Sequence, residues 1–181
     1  ELPIAEYGEA YILTGEDEKG KYISVSGSYK HKRAFEHNYE FMPECRLYEE
    51  ASTIDMIITF KNHKDMPLEY FYLCHINYRP VEQARLLYTA KHENIKAHHE
   101  VPEGYPAELA QKTNAYLDRL DKDASIMDVI DKETQSYAPE IVFTCKYDAD
   151  ENGDAHTMQI LPDGYACYVK HCPKELPFGV R

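Results

Sequence analysis

The most constraining feature of this sequence is a run of regular alternation in residues 52–62, STIDMIITFKN. Ile54, Met56, Ile58 and Phe60 take every second position, and Thr53, Asp55 and Thr59 lie between them. Successive side chains of a β-strand point to opposite faces, so this stretch predicts a strand with one apolar and one polar face. A strand of this kind suits a sheet that packs one face on another layer.

Several further segments have the same β character, and short turns rich in charge, Gly or Pro separate them. Sixteen Tyr and no Trp, together with many short runs of β-branched and aromatic residues, favour strands as well. Pro43 suggests a bulge or an edge position in its segment. The turn DADENGD resembles a calcium loop in composition only, and a hairpin turn is the favoured interpretation. The predicted strands form an antiparallel meander and cover residues 7–13, 21–29, 40–48, 52–62, 68–78, 140–147, 154–161 and 165–172.

The middle of the chain follows a different periodicity. Residues 106–120, PAELAQKTNAYLDRL, carry apolar side chains at helical spacing, with Pro106 in the first turn. The stretch 125–131 predicts a second short helix with Ser125 as its cap. Because only one stripe is apolar, we expect this helical insert around 106–131 to lie outside the sheets and to bury one face.

Composition excludes several classes of partner. The chain has 32 acidic and 20 basic residues and a formal net charge of −12, which disfavours nucleic acid as a partner. No apolar stretch approaches the ~18 to 20 residues that span a bilayer, so no membrane association is expected. The five cysteines are odd in number and form no C-x-x-C pair. They indicate reduced thiols in a cytoplasmic protein, and we expect neither a metal nor a cofactor.

Both ends of the sequence suggest a larger protein. It begins at Glu1 without Met and stops within PFGVR, an apolar run that should continue as a strand. We therefore expect residues 1–181 to be one domain, the central part of a larger β-sandwich truncated at both ends. The remaining segments of the same protein are an expected partner, in the same chain or a separate one.

The predicted strand 68–78 ends in three polar residues, in the run LCHINYRP. Alternation places His75 and Asn77 on one face, with Phe71 and Leu73 behind them on the same face. A few fixed polar groups beside apolar walls make a suitable floor for a sugar. The alternative is that His75 is an interior histidine whose hydrogen bonds are satisfied within the core.

The run TFKNHKDMPLEYFYLCHINYRP resembles galactose mutarotase-like proteins, the aldose 1-epimerases. The pieces ELPIA, SGSY, CHINYRP, MDVID, PEIVF, AHTMQILPDGYA and ELPFGVR are similar, in that order, to a bacterial branch of that superfamily whose function is unknown. The resemblance covers nearly all of the sequence. It implies a mostly β fold, an antiparallel β-supersandwich of two large sheets.

The resemblance also implies chemistry. In the epimerases the His that matches His75 protonates the ring oxygen of the sugar, and a Glu near the C-terminus takes the proton of the anomeric hydroxyl. The ring then opens, the C1–C2 bond rotates, and closure gives the other anomer. By position that Glu is expected beyond Arg181. The expected ligand is a small-molecule sugar, and the alternative function is a non-catalytic sugar-binding or sugar-sensing domain.

Four more residues are candidates for substrate binding. Arg46 shares a face with Glu44 and Tyr48 and could clamp a sugar hydroxyl or a carboxylate, or it could be an ordinary surface arginine. Arg79 and Arg85 flank the loop PVEQA and could meet an anionic substituent of the sugar. His156 is the fourth candidate, on the same side of its strand as Met158.

Overall fold

The structure is a computed structural model that describes residues 7–99, 101, 103–133 and 141–180. The piece ELPIA and residue 140 of one predicted strand lie outside the described residues. The chain divides into two compact units, Glu1–Cys74 and His75–Arg181, and each is described by itself. That residues 1–181 form a single domain stays a prediction.

All paired strands run antiparallel, which confirms the predicted class of sheet. The first unit contains β1 (Glu9–Asp17), β2 (Gly20–Lys32), β3 (Asn38–Tyr48) and β4 (Ile54–Asn62). The second unit contains β5 (Arg85–Tyr88), β6 (Ile95–Ala97), α1 (Ala107–Lys122), β7 (Phe143–Lys146), β8 (Ala155–Ile160), β9 (Ala166–His171) and β10 (Phe178–Val180).

The first unit is a four-stranded meander in the order β1-β2-β3-β4. Its register pairs Ile12 with Val25, Val25 with Cys45 and Cys45 with Met56, so these side chains share one face. The alternation predicted for β4 is therefore confirmed. We call this side the apolar sheet face, and its large aliphatic members are Ile12, Ile23, Val25, Leu47, Ile54 and Met56.

The prediction that Pro43 lies at a bulge or in an edge position is wrong. Pro43 sits in β3, between β2 and β4, and it pairs with Ile58 of β4. On the other side of β3, the pairing with β2 lapses between Glu44 and Phe41 and then resumes in the same register. The reason is that Pro has no N–H to donate, so an internal strand accepts it where one ladder is interrupted.

The predicted strand 68–78 is wrong, because within the described residues no strand pairs with this segment. After β4 the chain leaves the sheet and continues without regular secondary structure to residue 81. The Tyr70 ring stacks on Phe60 at 4.9 Å, and the Tyr72 ring lies 6.5 Å from Phe41. The sequence of this segment alternates as a strand would, but a strand also needs a neighbouring strand to form hydrogen bonds with its backbone N–H and C=O groups.

The second unit closes a small core under its helix. Tyr116 and Leu120 of α1 and Met127 of the following 3-10 turn form this core, and Phe143 packs against it. The helix confirms the prediction for residues 106–120, but Asp123 rather than Ser125 caps the turn that follows, by accepting the Ser125 N–H. No helix in the described part of the chain is long and apolar enough to cross a membrane.

The strands of the second unit form two three-stranded sheets, β10-β7-β6 and β5-β8-β9. The predictions for 140–147, 154–161 and 165–172 are confirmed as β7, β8 and β9. The turn DADENGD joins β7 to β8 as a tight turn, in which the Asp150 N–H donates to the Asp154 carbonyl. The segment is a turn, but the predicted hairpin is wrong, because β7 and β8 belong to different sheets. The short strands β5 and β6, of four and three residues, were not predicted.

Candidate functional site

His75 and Asn77 are exposed in the segment that follows the first unit. The described residues include no hydrogen-bond partner for either side chain. The alternative of an interior histidine is therefore wrong. Contrary to the prediction, the two side chains do not lie on a strand. They are exposed and therefore accessible to a ligand.

Arg79 belongs to the same segment, and its backbone is anchored to β8. The amide of Gln159 donates a hydrogen bond of 2.9 Å to the Arg79 carbonyl, and Gln159 is itself buried. A buried amide needs such a partner, so this contact fixes the chain just beyond His75 and Asn77. The Arg79 side chain is exposed.

Arg85 and His156 lie on the same face of the sheet β5-β8-β9. Arg85 pairs with Ile160, and Ile160 lies four positions after His156 on β8, so the alternation places both side chains on one side. The opposite face carries Thr157 and Gln159, which are buried. The structure thus brings two predicted binding residues to one outward face: His156 near the start of β8, and Arg85 on β5, opposite the end of β8.

His156 is held from three directions. Its Nε2 lies 2.8 Å from Oδ2 of Asp150, and its Nδ1 lies 2.5 Å from the Tyr168 hydroxyl. The His156 N–H donates to the Thr89 hydroxyl, and the Thr89 N–H donates to the His156 carbonyl. Ring and backbone are therefore both fixed, as the orientation of an acid or base requires.

The Asp150 carboxylate is ionised over the whole neutral range. The backbone N–H of Asp154 and the His156 ring, with the N–H of Asn152, lower the pKa of Asp150 to about 2. An ionised acceptor at Nε2 selects the tautomer with its proton there. Nδ1 then accepts from Tyr168, so a carboxylate, an imidazole and a phenol form one chain of proton donors and acceptors.

Sequence reasoning named His156 but missed Asp150 and Tyr168. The signal available was the turn, because Asp150 lies only six positions before His156 in the sequence. Tyr168 is a diagonal neighbour of His156 across β8 and β9, since Tyr168 pairs with Met158. Only the register of that pair reveals the contact.

Arg46 lies in the first unit, on the polar face of the sheet. Its guanidinium donates to Glu44 at 2.8 Å and 3.2 Å and to Asp17 at 3.2 Å, and it stacks over the Tyr22 ring. The hydrogen bond from Arg46, against the effect of burial, lowers the pKa of Glu44. With these partners, Arg46 links β1 and β3 on the polar face of the sheet.

A groove of about 650 Å³ lies in the first unit, and its volume is in the range of small-molecule sites. Tyr22 and Tyr48 line it together with Ile23 and Leu47, and no predicted site residue is among its lining residues. Among the described residues, no three His, Cys, Asp or Glu side chains come together in a way that could hold a metal ion.

No family model matches the sequence, and no curated protein matches it. The fold is similar to a crystal structure described as a candidate aldose 1-epimerase from Klebsiella pneumoniae subsp. pneumoniae MGH 78578, with a TM-score of 0.66 and 14% identity. The match covers 97% of this chain and 41% of that chain, so this chain spans about two fifths of the neighbour's length. At this identity the match shows the fold alone: the chain is mostly antiparallel β, with an architecture similar to the matched part of that structure.

Proposed function

We propose that the protein binds a sugar and interconverts its anomers by acid and base ring opening, in the manner of an aldose 1-epimerase. The observation that carries the proposal is the likeness of fold over 97% of the chain to a structure described as a candidate aldose 1-epimerase. In this proposal His75 is the general acid. An imidazole suits that role because its ordinary pKa lies near neutral pH.

The exposure of His75 and Asn77 supports the assignment. A general acid must come within hydrogen-bond reach of the ring oxygen, and a side chain already bonded within the fold would first have to leave its partner. Asn77, Arg79 and Arg85 are proposed to bind hydroxyl or anionic groups of the same sugar. His156 is proposed as a further binding residue, oriented by Asp150.

The alternative is a sugar-binding protein without catalysis. One observation favours it: in the described part of the chain, no carboxylate forms a hydrogen bond with the His75 side chain. In that case the same side chains bind the sugar by neutral hydrogen bonds alone.

The test is His75→Gln, compared with His98→Gln, a matched control at another exposed histidine. Anomer exchange is measured by proton exchange spectroscopy on a panel of aldoses, and binding is measured by thermal shift, because a ligand of the native state raises its stability. The experiment uses both this chain and the protein at its natural length. Catalysis predicts exchange slower by about 10²- to 10⁴-fold in His75→Gln, with folding nearly unchanged.

Binding alone predicts a different result for the same variant. The affinity falls by roughly the 0.5–1.5 kcal/mol of one neutral hydrogen bond, and anomer exchange stays at the uncatalysed rate in every sample. The proposal is wrong if no sugar stabilises the protein at natural length and exchange is not accelerated. It also fails for His75 if His98→Gln loses as much as His75→Gln.

A further inference from the structure

Tyr168 has the surroundings of an activated nucleophile. Its hydroxyl lies 2.5 Å from Nδ1 of His156, and the other nitrogen of that ring lies 2.8 Å from Oδ2 of Asp150. A nucleophile beside a base, with the base oriented by a third group, is the arrangement that activates hydroxyl groups in covalent catalysis. In this cluster a phenol takes the place that a serine hydroxyl has in the best-known triads.

The hydrogen bonds of this cluster give the phenol proton an acceptor. Asp150 is ionised and bonds Nε2 of His156, so the ring carries its proton there and Nδ1 keeps its lone pair. The contact between Tyr168 and Nδ1 therefore has the phenol as its donor. The imidazole can take the proton when the phenol oxygen attacks an electrophile, because the two groups are already within hydrogen-bond reach.

Lys170 follows on the same face of β9, but its amine is engaged with another partner. Lys170 pairs with His156 in the ladder, and its Nζ lies 2.8 Å from Oδ2 of Asp154. The hydrogen bond to Asp154 and the attraction between the two charges raise the pKa of Lys170. The amine stays protonated and has no free electron pair, so Tyr168 is the favoured nucleophile on this face.

Apolar side chains lie next to Tyr168 on the outward face of the sheet β5-β8-β9. The register places Leu87, Met158 and Tyr168 side by side across the three strands. Tyr168 is 48% exposed and Leu87 is 44% exposed, so a ligand from solvent can reach both. Apolar surface with a few fixed polar groups is the usual composition of a small-molecule site, and here it suits the hydrocarbon part of an ester.

We propose that Tyr168 accepts an acyl group from a carboxylic ester that has an apolar acyl or aryl part and a good leaving group. His156 is the base, and Asp150 positions it. The phenol oxygen attacks the ester carbonyl as its proton passes to Nδ1 of His156. The bond between the carbonyl carbon and the leaving oxygen then breaks, and that oxygen takes the proton from His156. The products are O-acyl Tyr168 and the free alcohol or phenol.

This activity goes beyond the sugar chemistry proposed above, and its test does not depend on any sugar. The probe is p-nitrophenyl acetate, and peptide mass spectrometry locates each acetyl group. Tyr165 is the internal control, because it lies just before β9, is 77% exposed and, in the described part of the chain, has no hydrogen bond from its hydroxyl to a histidine. Tyr168 is expected to be acetylated about 10²- to 10⁴-fold faster than Tyr165, the usual share of a general base.

Two variants test the role of the base and the site of labelling. In His156→Gln the side chain stays polar but cannot take a proton, so Tyr168 is expected to be acetylated at about the rate of Tyr165. Tyr168→Phe is expected to abolish the rapid release of one equivalent of p-nitrophenol, and the matched control Tyr165→Phe is expected to retain it. The comparison of the two tyrosines in the parent chain stands even if His156→Gln does not fold.

Three results would overturn the proposal. The first is an equal rate of acetylation at Tyr168 and Tyr165 in the parent chain. The second is fast acetylation of Tyr168 that persists in folded His156→Gln, which would assign the reactivity to exposure alone. The third is a lasting acetyl group on Lys170 or His156 in place of Tyr168, which would assign the reactivity to the amine or the imidazole.

Discussion

The two units of this chain differ in how far the apolar faces of their strands are buried. In the second unit, α1 lies over the strands and Leu117 is 1% exposed. Among the described residues of the first unit no helix lies over the sheet, and Val25 at its centre is 53% exposed. The comparison shows that the alternation of side chains in a strand indicates which face of the sheet tends to be buried. Other parts of the chain decide whether that face is buried and which residues pack on it.

The largest expected effect sharpens this comparison. Leu117→Ala removes a fully buried side chain and leaves a cavity, so the free energy of unfolding is expected to fall by about 2–5 kcal/mol. Val25→Ala, on the exposed face, is expected to cost less than about 1 kcal/mol in the same chain. Urea denaturation of both variants measures the difference. Comparable losses would show that the apolar sheet face is buried in this chain.

A smaller effect is expected on the polar face of the first unit. Arg46→Gln removes the hydrogen bond that chiefly lowers the pKa of Glu44, so that pKa is expected to rise toward its ordinary 4.5. A lowered carboxyl pKa stabilises the fold above about pH 4.5 and loses that effect as the pH falls through the folded value. The variant should therefore be less stable at neutral pH and converge with the parent in acid.

The control for this variant is Arg33→Gln. Arg33 pairs with Glu36 at 3.3 Å, and both side chains are largely exposed. Exposed pairs contribute little, so this change is expected to leave the unfolding curve unchanged at every pH. If the two arginines behave alike, the network around Arg46 does not order the sheet.

The smallest effect is expected at the turn before β8, and only in acid. The pKa of Asp150 is lowered to about 2 by the backbone of Asp154 and by His156, so its stabilisation is present above about pH 4 and lost as the pH falls toward 2. Asp150→Asn should remove that dependence. Thermal melts from pH 7 to pH 2 measure it, with Glu151→Gln in the same turn as the control. A parent curve that already lacks this slope would contradict the assignment.

The sequence by itself determined the local features that depend on neighbouring residues. The alternation of β4, the helix α1 and the tight turn before β8 all follow from side-chain spacing and turn chemistry, and all are confirmed. The predicted apolar and polar faces of β4 were also correct, because successive side chains of a strand must point to opposite faces of the sheet. The location of Arg46 beside Glu44 and Tyr48 follows from the same rule.

Only the tertiary structure decided the features that need a distant partner. Residues 68–78 alternate as well as β4 does, yet no strand of the described chain pairs with them, and so they are not a strand. Pro43 is accepted in an internal strand because one ladder is interrupted beside it. Tyr168 meets His156 only through the register of β8 and β9. In each case the deciding factor is which backbone segments pair with each other, and the spacing of side chains along one segment carries no information about its partner.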